Sequence, residues 1–384
     1  MTHVFIVNET TLKYHLEYMF AGTGANCDAP FLNDAGYHNP KRRSEGLTNP
    51  SERNIAAMIA DISRVHAGDK IIFYLQAGNH EGKFYGIFRA AGTPFYDSNK
   101  DNYLSVQMGK NLNLRVIIEP DEVYENGVSE HKVLDLLDGI SHPSEMCWSL
   151  IYRKLKGNRG CTMITDYEAA KLSEKIRSEN AGRVLPGASF SYDASQGKIV
   201  RDDKAFRYTG DKKSVSVEER LLVKYFRKNA FEAHLQAYVV QKLLDLPLSD
   251  LLHIDSRKAV WIGNEVSCGV GMQRIDVVTV QEDIYSVDIN IIELKDEEPY
   301  EDIITNQLPW YIEWVKNYWC PLYAGKRVNI NPVVIAKKAE AANSEKFKKA
   351  AEELKYPIQK NAAVAPAQYI AFSIGKGIVF EKVF

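Results

Sequence analysis

Two runs in the second half of the chain, Arg274-Ile275-Asp276-Val277-Val278-Thr279-Val280 and Ile289-Asn290-Ile291-Ile292-Glu293-Leu294-Lys295, are dense in β-branched residues, and each carries a carboxylate. The composition of these runs predicts strands. They are joined near Gln281 to Ser286, and the midpoint between positions 276 and 293 falls inside that connection. An antiparallel pair is therefore expected, with Asp276 and Glu293 side by side across it. Strand alternation puts Glu293 and Lys295 on one face and Leu294 on the other. A carboxylate at the end of a buried strand is costly unless paired or metal-bound. Two such groups side by side repel, which a divalent cation between them relieves. Two carboxylates suit Mg²⁺, with Mn²⁺ as a substitute, because this hard ion keeps several waters and binds phosphate oxygens. Lys295 then stands where it can orient or deprotonate an attacking water and offset phosphate charge. The same residues would also suit an ordinary cross-strand Asp–Lys salt bridge on an exposed face.

The neighbouring pattern adds weight to the chemical reading. A helix is expected over Tyr300 to Tyr318, with Gln307 and Tyr311 one turn apart on one face. Pro309 lies between them and should kink that helix or mark its first turn. Upstream, Glu218 to Leu244 reads as one long helix, with Leu221, Leu222, Tyr225, Leu235, Val239 and Leu243 at helical spacing. Glu232 and Gln236 are again one turn apart within it. Glu219 competes with Glu232 as a helical carboxylate facing the strands. Glu232 is favoured for its place well inside the helix, since a first-turn acid such as Glu219 already complements the helix dipole. A strand at Ala259-Val260-Trp261-Ile262, one at Asn331 to Ala336, a helix over Ala341 to Leu354 and a last strand at Ala367 to Phe372 complete the order α-β-β-β-α-β-α-β. That order predicts a mixed sheet flanked by helices.

G-x-x-R-I-D ending at Asp276, E-L-K at Glu293 to Lys295 and Q-x-x-x-Y at Gln307 to Tyr311, preceded by a helical Glu, resemble the RecB-like branch of the PD-(D/E)XK nucleases, and most of all mismatch-type endonucleases of the EndoMS kind. The resemblance covers about 217 to 384. It implies a restriction-endonuclease-like fold over 216–384. It implies that Glu232, Asp276, Glu293 and the Leu294 carbonyl hold Mg²⁺, and that Lys295 is the catalytic lysine. Gln307 and Tyr311 would position the DNA backbone or Lys295.

The first part of the chain has a different texture. Gly68-Asp69 precedes an apolar strand, Lys70 to Leu75, and Lys83 to Ala90 reads as its hairpin partner. Leu114 to Ile118 is a further strand, Met1 to Val7 reads as a first buried strand, and Ser51 to Val65 is helical, as are Val133 to Leu137 and Asp166 to Ile176. Together these suggest a small mixed barrel. Residues 176–215, rich in Gly, Ser, Asp and Lys, read as a linker with one hairpin.

Gly68-Asp69-Lys70-Ile71-Ile72-Phe73-Tyr74, Phe84-Tyr85-Gly86-Ile87-Phe88 and Thr93-Pro94-Phe95-Tyr96-Asp97 resemble PUA-like domains of the EVE and YTH type, over residues 1–175. Some members of that group bind a modified base in an aromatic cage. The residues suited to a flipped base are Asn8, Phe20, Tyr74, Phe95, Tyr96 and Trp148, which offer flat apolar faces and hydrogen-bonding groups. Each could equally fill a barrel core. Lys41-Arg42-Arg43 and the run holding Arg153, Lys154, Lys156 and Arg159 are candidates for phosphate contacts.

Composition sets the outer limits. With 384 residues the chain suffices for two domains, and its formal net charge of −2 gives no overall electrostatic case for nucleic acid, so any DNA contact rests on local patches. No apolar run approaches a bilayer span, and no membrane partner is expected. Five scattered cysteines with no C-x-x-C pair fit reduced, buried thiols. A cytoplasmic location follows as an expectation. The fold class expected is two domains, α+β and α/β. The function expected is a Mg²⁺-dependent DNA endonuclease directed to modified bases, plausibly dimeric because a double-strand cut needs two active sites. Two alternatives are a repair endonuclease acting on mismatched or branched DNA, and a non-catalytic binding protein with a degenerate nuclease fold.

Overall fold

The computed structural model describes residues 1–24, 51–78, 81–100, 103–135, 140–147, 160–204, 206–269, 273–356 and 361–384. The chain divides into two compact units, Met1–Val215 and Ser216–Phe384. Both are mixtures of helices and mixed sheets.

In the first unit the strands are β1 (Thr2–Val7), β2 (Phe20–Thr23), β3 (Lys70–Leu75), β4 (Lys83–Ala90), β5 (Phe95–Tyr96), β6 (Leu114–Pro120), β7 (Val128–Ser129), β8 (Cys161–Ile164), β9 (Phe190–Asp193) and β10 (Lys198–Arg201). Eight of them form one sheet in the order β2-β6-β4-β3-β1-β8, with β5 paired to β6 and β7 to β4. The expected β3–β4 hairpin is antiparallel, and β1 joins β3 in parallel. Among the described residues no pairing of β2 with β8 closes this sheet into a barrel. Helix Glu52–Ser63 is terminated at its start by the Ser51 side chain, which accepts from the Asn54 amide, and buries Ile55, Met58, Ile59 and Ile62. Helix Asp166–Glu179 opens with a reciprocal capping box between Thr165 and Glu168.

The stretch from 176 to 215 is not a free linker. It holds the expected hairpin, β9 against β10. Phe190, Tyr192 and Ile199 of that hairpin are buried, Ser191 donates to Glu17, and the Tyr208 hydroxyl reaches Asp97. Its Gly- and Ser-rich composition serves tight turns, while Phe190, Tyr192 and Ile199 of the hairpin pack into the core of the first unit.

In the second unit the strands are β11 (Trp261–Ser267), β12 (Arg274–Glu282), β13 (Ser286–Leu294), β14 (Arg327–Lys337), β15 (Ala362–Val364), β16 (Gln368–Ile374) and β17 (Ile378–Lys382). The sheet order is β11-β12-β13-β14-β16-β17, with β15 on β14. β11, β12 and β13 run antiparallel, β13, β14 and β16 run parallel, and β17 returns antiparallel. Each parallel step is crossed by helical chain, as such connections require. The first crossing holds a π-turn Ile303–Gln307, an α-helix Leu308–Trp314 and a second π-turn Val315–Trp319; the other is helix Ala341–Glu353. β15 and β17 extend the expected order.

The long helix expected over Glu218 to Leu244 is instead two, Glu218–Phe226 and Glu232–Lys242. The break falls at Lys228, whose φ of 56° is left-handed. The second helix starts afresh because the Asp296 carboxylate accepts the Phe231 amide at 2.6 Å, satisfying a donor at the helix start. Glu232 is therefore the first residue of a helix and not deep inside one.

Candidate active site

The β12–β13 ladder runs from Glu282↔Val287 to Val277↔Ile292. Continuing that register by one residue sets Asp276 opposite Glu293, at the end of the sheet away from the connecting turn. The main chain reinforces the pairing, since the Leu294 amide donates to Asp276 Oδ2 at 2.8 Å. Glu293 is buried, 1% exposed, on a strand flanked on both sides. Asp276 and Lys295 are partly buried.

Lys295 does not bridge to Asp276 across the strands. Its Nζ lies 2.6 Å from Glu293 Oε1 on its own strand and 3.7 Å from Glu232 Oε2. This agrees with the alternation argument for residues 293 and 295. Of the two helical acids it is Glu232, at the start of its helix, that reaches this group. Glu219 lies in the first turn of helix Glu218–Phe226.

Two glutamines brace this group, one through the main chain of Asp276 and one through the Glu293 carboxylate. Gln236, one turn beyond Glu232, donates to the Asp276 carbonyl at 3.0 Å. Gln307 donates through Nε2 to Glu293 Oε1 at 2.8 Å and to the Tyr311 hydroxyl at 3.1 Å. Tyr311 in turn donates to the Arg274 carbonyl at 2.9 Å, tying the helix to the start of β12. Pro309 stands in the first turn of helix Leu308–Trp314, one of the two placements expected for it. The π-turn before it ends at Gln307, so the wider coil and the proline together set the Gln307 side chain over Glu293.

Charge in this group is only partly balanced. Burial, then the neighbouring Glu293 charge, push the Asp276 carboxyl well above the usual carboxylate range. Burial also raises Glu293, against the pull of Lys295. Burial would lower Lys295, but the Glu293 carboxylate overrides it and holds the ammonium charged. Glu293 Oε2 is buried and, among the described residues, has no hydrogen-bond partner. Among the described residues no group of three or more His, Cys, Asp or Glu side chains is disposed to hold a metal ion. The fit to a cation thus rests on a smaller donor set, Asp276 and Glu293 side by side with one buried carboxylate oxygen unsatisfied. Two carboxylates suit Mg²⁺, which retains waters in the rest of its shell. Leu294, the proposed carbonyl donor, is the last residue of β13.

Sequence reasoning missed Asp296, which fixes the start of the Glu232 helix, and Trp310, whose Nε1 donates to the Cys268 carbonyl at 3.2 Å beside the loop leading into β12. A sequence signal existed for Asp296, an acid directly after E-L-K, but its partner is a main-chain amide that no pattern marks.

The base-binding residues expected in the first unit are placed otherwise. Asn8 caps helix Glu9–Glu17, accepting from the Thr11 amide at 2.8 Å. Phe20, Tyr74, Phe95 and Tyr96 are all buried. Phe20 lies under the Arg115 guanidinium, the Tyr74 hydroxyl donates to Glu130, and Phe95 packs edge-on against Tyr208. These four rings fill the core of the unit. Trp148, Arg153, Lys154, Lys156, Arg159 and the Lys41-Arg42-Arg43 run lie outside the described residues.

Among the described residues no helix is long and apolar enough to cross a membrane. No protein-family model matches the chain, and no curated protein matches it.

Proposed function

We propose that this chain is a Mg²⁺-dependent DNA endonuclease of the PD-(D/E)XK kind, in which the first unit directs the second to DNA carrying a modified base. The observation that carries the reading is the pair Asp276 and Glu293. They are adjacent like charges, both pushed toward the protonated form, with an unsatisfied carboxylate oxygen and a charged lysine beside them. Such an arrangement is unfavourable as a purely structural device and suits a site that takes up a cation.

Asp276 and Glu293, with the Leu294 carbonyl, would hold the ion, while Glu232 faces Lys295 beside them. Bound Mg²⁺ supplies Lewis acidity toward a phosphate oxygen and eases deprotonation of water. Lys295, kept charged by its neighbours, would offset the negative charge that builds on the phosphoryl oxygens and orient the attacking water. Gln307 and Tyr311 keep Glu293 in one rotamer, and Gln236 keeps the end of β12 in place. A pair of such sites in a homodimer would account for cutting both strands. The first unit is assigned recognition because its β3–β4 hairpin carries the PUA-like resemblance.

The test is cleavage of plasmid DNA and of short duplexes with unmodified, 5-methylated, 5-hydroxymethylated or mismatched cytosine. The wild type should cut in Mg²⁺, favour modified duplexes, and lose at least about 10³-fold in rate in Asp276→Ala. A preference for mismatched duplexes would turn the reading to repair. Absence of cutting on every substrate would leave a binding protein with a degenerate nuclease fold.

A further inference from the structure

The rings expected to bind a base are buried, but the first unit carries a second set of aromatic residues that is not. Tyr14 and Tyr18 lie on helix Glu9–Glu17 and at its C-cap, with ring centroids 6.4 Å apart. Phe206 stands against Tyr18 at 5.1 Å, with ring planes 31° apart, and Tyr103 meets Tyr18 edge-on at 6.3 Å. The three tyrosines are half-buried, and Phe206 is 39% exposed. The Thr209 amide donates to the Tyr103 hydroxyl at 2.9 Å, which fixes that ring. The result is a preformed, partly exposed wall of rings whose tyrosines pack on the buried cluster of Phe20, Leu104 and Met108.

Two cations lie near this wall. Lys212 stands 5.5 Å from the ring centroids of Phe95 and of Tyr208, the latter meeting Tyr103 edge-on, and Lys110 follows the short helix Ser105–Met108 next to Tyr103 in the chain. Both ammonium groups are exposed, and neither has a carboxylate partner among the described residues. The nearby acids are already engaged: Glu17 accepts from Ser191 and faces Lys13 at 3.8 Å, and Asp211 accepts from Ser98 and faces Lys213 at 3.4 Å. Partly exposed rings with exposed lysines near them complement a ligand with flat bases and an anionic backbone. An apolar protein surface would match the rings and leave the lysines without counter-charges.

We propose that the Tyr14–Tyr18–Tyr103–Phe206 wall, with Lys110 and Lys212 near it, binds unpaired nucleotides of a DNA strand by stacking, with little preference among bases. In an enzyme acting on DNA it would hold strand opened next to the recognised feature. The proposal takes its ligand class from the nuclease reading. Binding is measured with divalent ions chelated, so it can fail while cleavage stands, and cleavage can fail while it stands.

The experiment is fluorescence anisotropy of a labelled deoxythymidine 12-mer and a duplex of equal length, titrated with the full chain in EDTA. A second readout is quenching of 2-aminopurine placed within the single strand. The wild type should favour the single strand and quench the probe. Phe206→Ala combined with Tyr18→Ala should weaken single-strand binding about tenfold or more and abolish quenching. Tyr18→Phe, which keeps the ring, should bind as the wild type does. Lys110→Glu with Lys212→Glu, both at exposed positions, should weaken binding and flatten its salt dependence. The proposal is overturned if the ring variant, with an unchanged circular dichroism spectrum, binds and quenches as before. It is equally overturned if the charge variant binds unchanged while remaining folded, or if the wild type does not bind the single strand.

Discussion

The Arg115 guanidinium in the first unit and the Glu293 carboxylate in the second are both buried, and their surroundings differ in kind. Every Arg115 nitrogen has a partner. Nε donates to the Leu112 carbonyl at 2.5 Å, Nη1 to Asp97 at 3.0 Å and to Tyr208 at 2.9 Å, and Nη2 to Asn99. The Phe20 ring lies 4.8 Å beneath it. Opposite charges, four donated hydrogen bonds and an aromatic face make a network that ties Tyr208 to the strands. Glu293 instead has a like charge as its cross-strand neighbour, shares one lysine with Glu232, and keeps an oxygen with no partner among the described residues. At Arg115 the buried charge is answered by its surroundings, whereas the partly unanswered charge at Glu293 is what supports the proposal of a cation site there.

Three results would break or sharpen this contrast. The largest effect belongs to the closed network. Arg115→Met leaves Asp97 buried without its cation and should cost about 3–5 kcal/mol. Urea denaturation should show this as a lower midpoint for the first unit, with Mg²⁺-dependent cleavage by the native protein retained. An unchanged midpoint would mean that Arg115 is not structural.

The second effect is one of pH. Burial, then the Arg115 and Lys110 charges, lower the His15 imidazole to about 3, and the ring stacks on Phe73 at 5.4 Å with neither nitrogen bonded among the described residues. Its folded pKa lies below the unfolded value of 6.5, so its neutral form stabilises the fold fully above pH 6.5. As pH falls from there toward 3, the unfolded chain takes up a proton that the folded chain refuses, and stability declines. By pH 5 the loss should reach about 2 kcal/mol. His15→Leu should remove that part of the acid dependence; thermal melts of the two proteins between pH 7 and 5 that run parallel would contradict this.

The smallest effect is at the site. Gln307→Ala frees Glu293 Oε1 and the Tyr311 hydroxyl from their shared donor, and should lower the cleavage rate about tenfold, close to 1.4 kcal/mol. Unchanged cleavage would show that Lys295 alone holds Glu293.

Much of the site could be read from sequence because the β-branched runs of β12 and β13 flank a short turn, so register follows from counting positions back from it. The relation of Glu293 to Lys295 followed from strand alternation alone. The position of Glu232 did not. Its helix breaks at Lys228 and restarts on the Asp296 carboxylate, and helical periodicity alone does not reveal a break repaired by a distant side chain. The 176–215 stretch was misjudged by its turn-forming residues, which masked Phe190, Tyr192, Ile199 and Tyr208. Sequence also cannot tell which aromatics of a small sheet face inward: Phe20 and Tyr18 lie two positions apart, yet one is core and the other half-open.

The sharpest test of the account is calorimetric titration of Mg²⁺ into the full chain with an uncleavable phosphorothioate duplex present, for the wild type and for Glu293→Gln. Sharing of one ion by Asp276 and Glu293 predicts saturable binding by the wild type, accompanied by proton release as the raised carboxyls ionise, and its loss in the variant. Equal binding by both proteins, or none by the wild type, would contradict it.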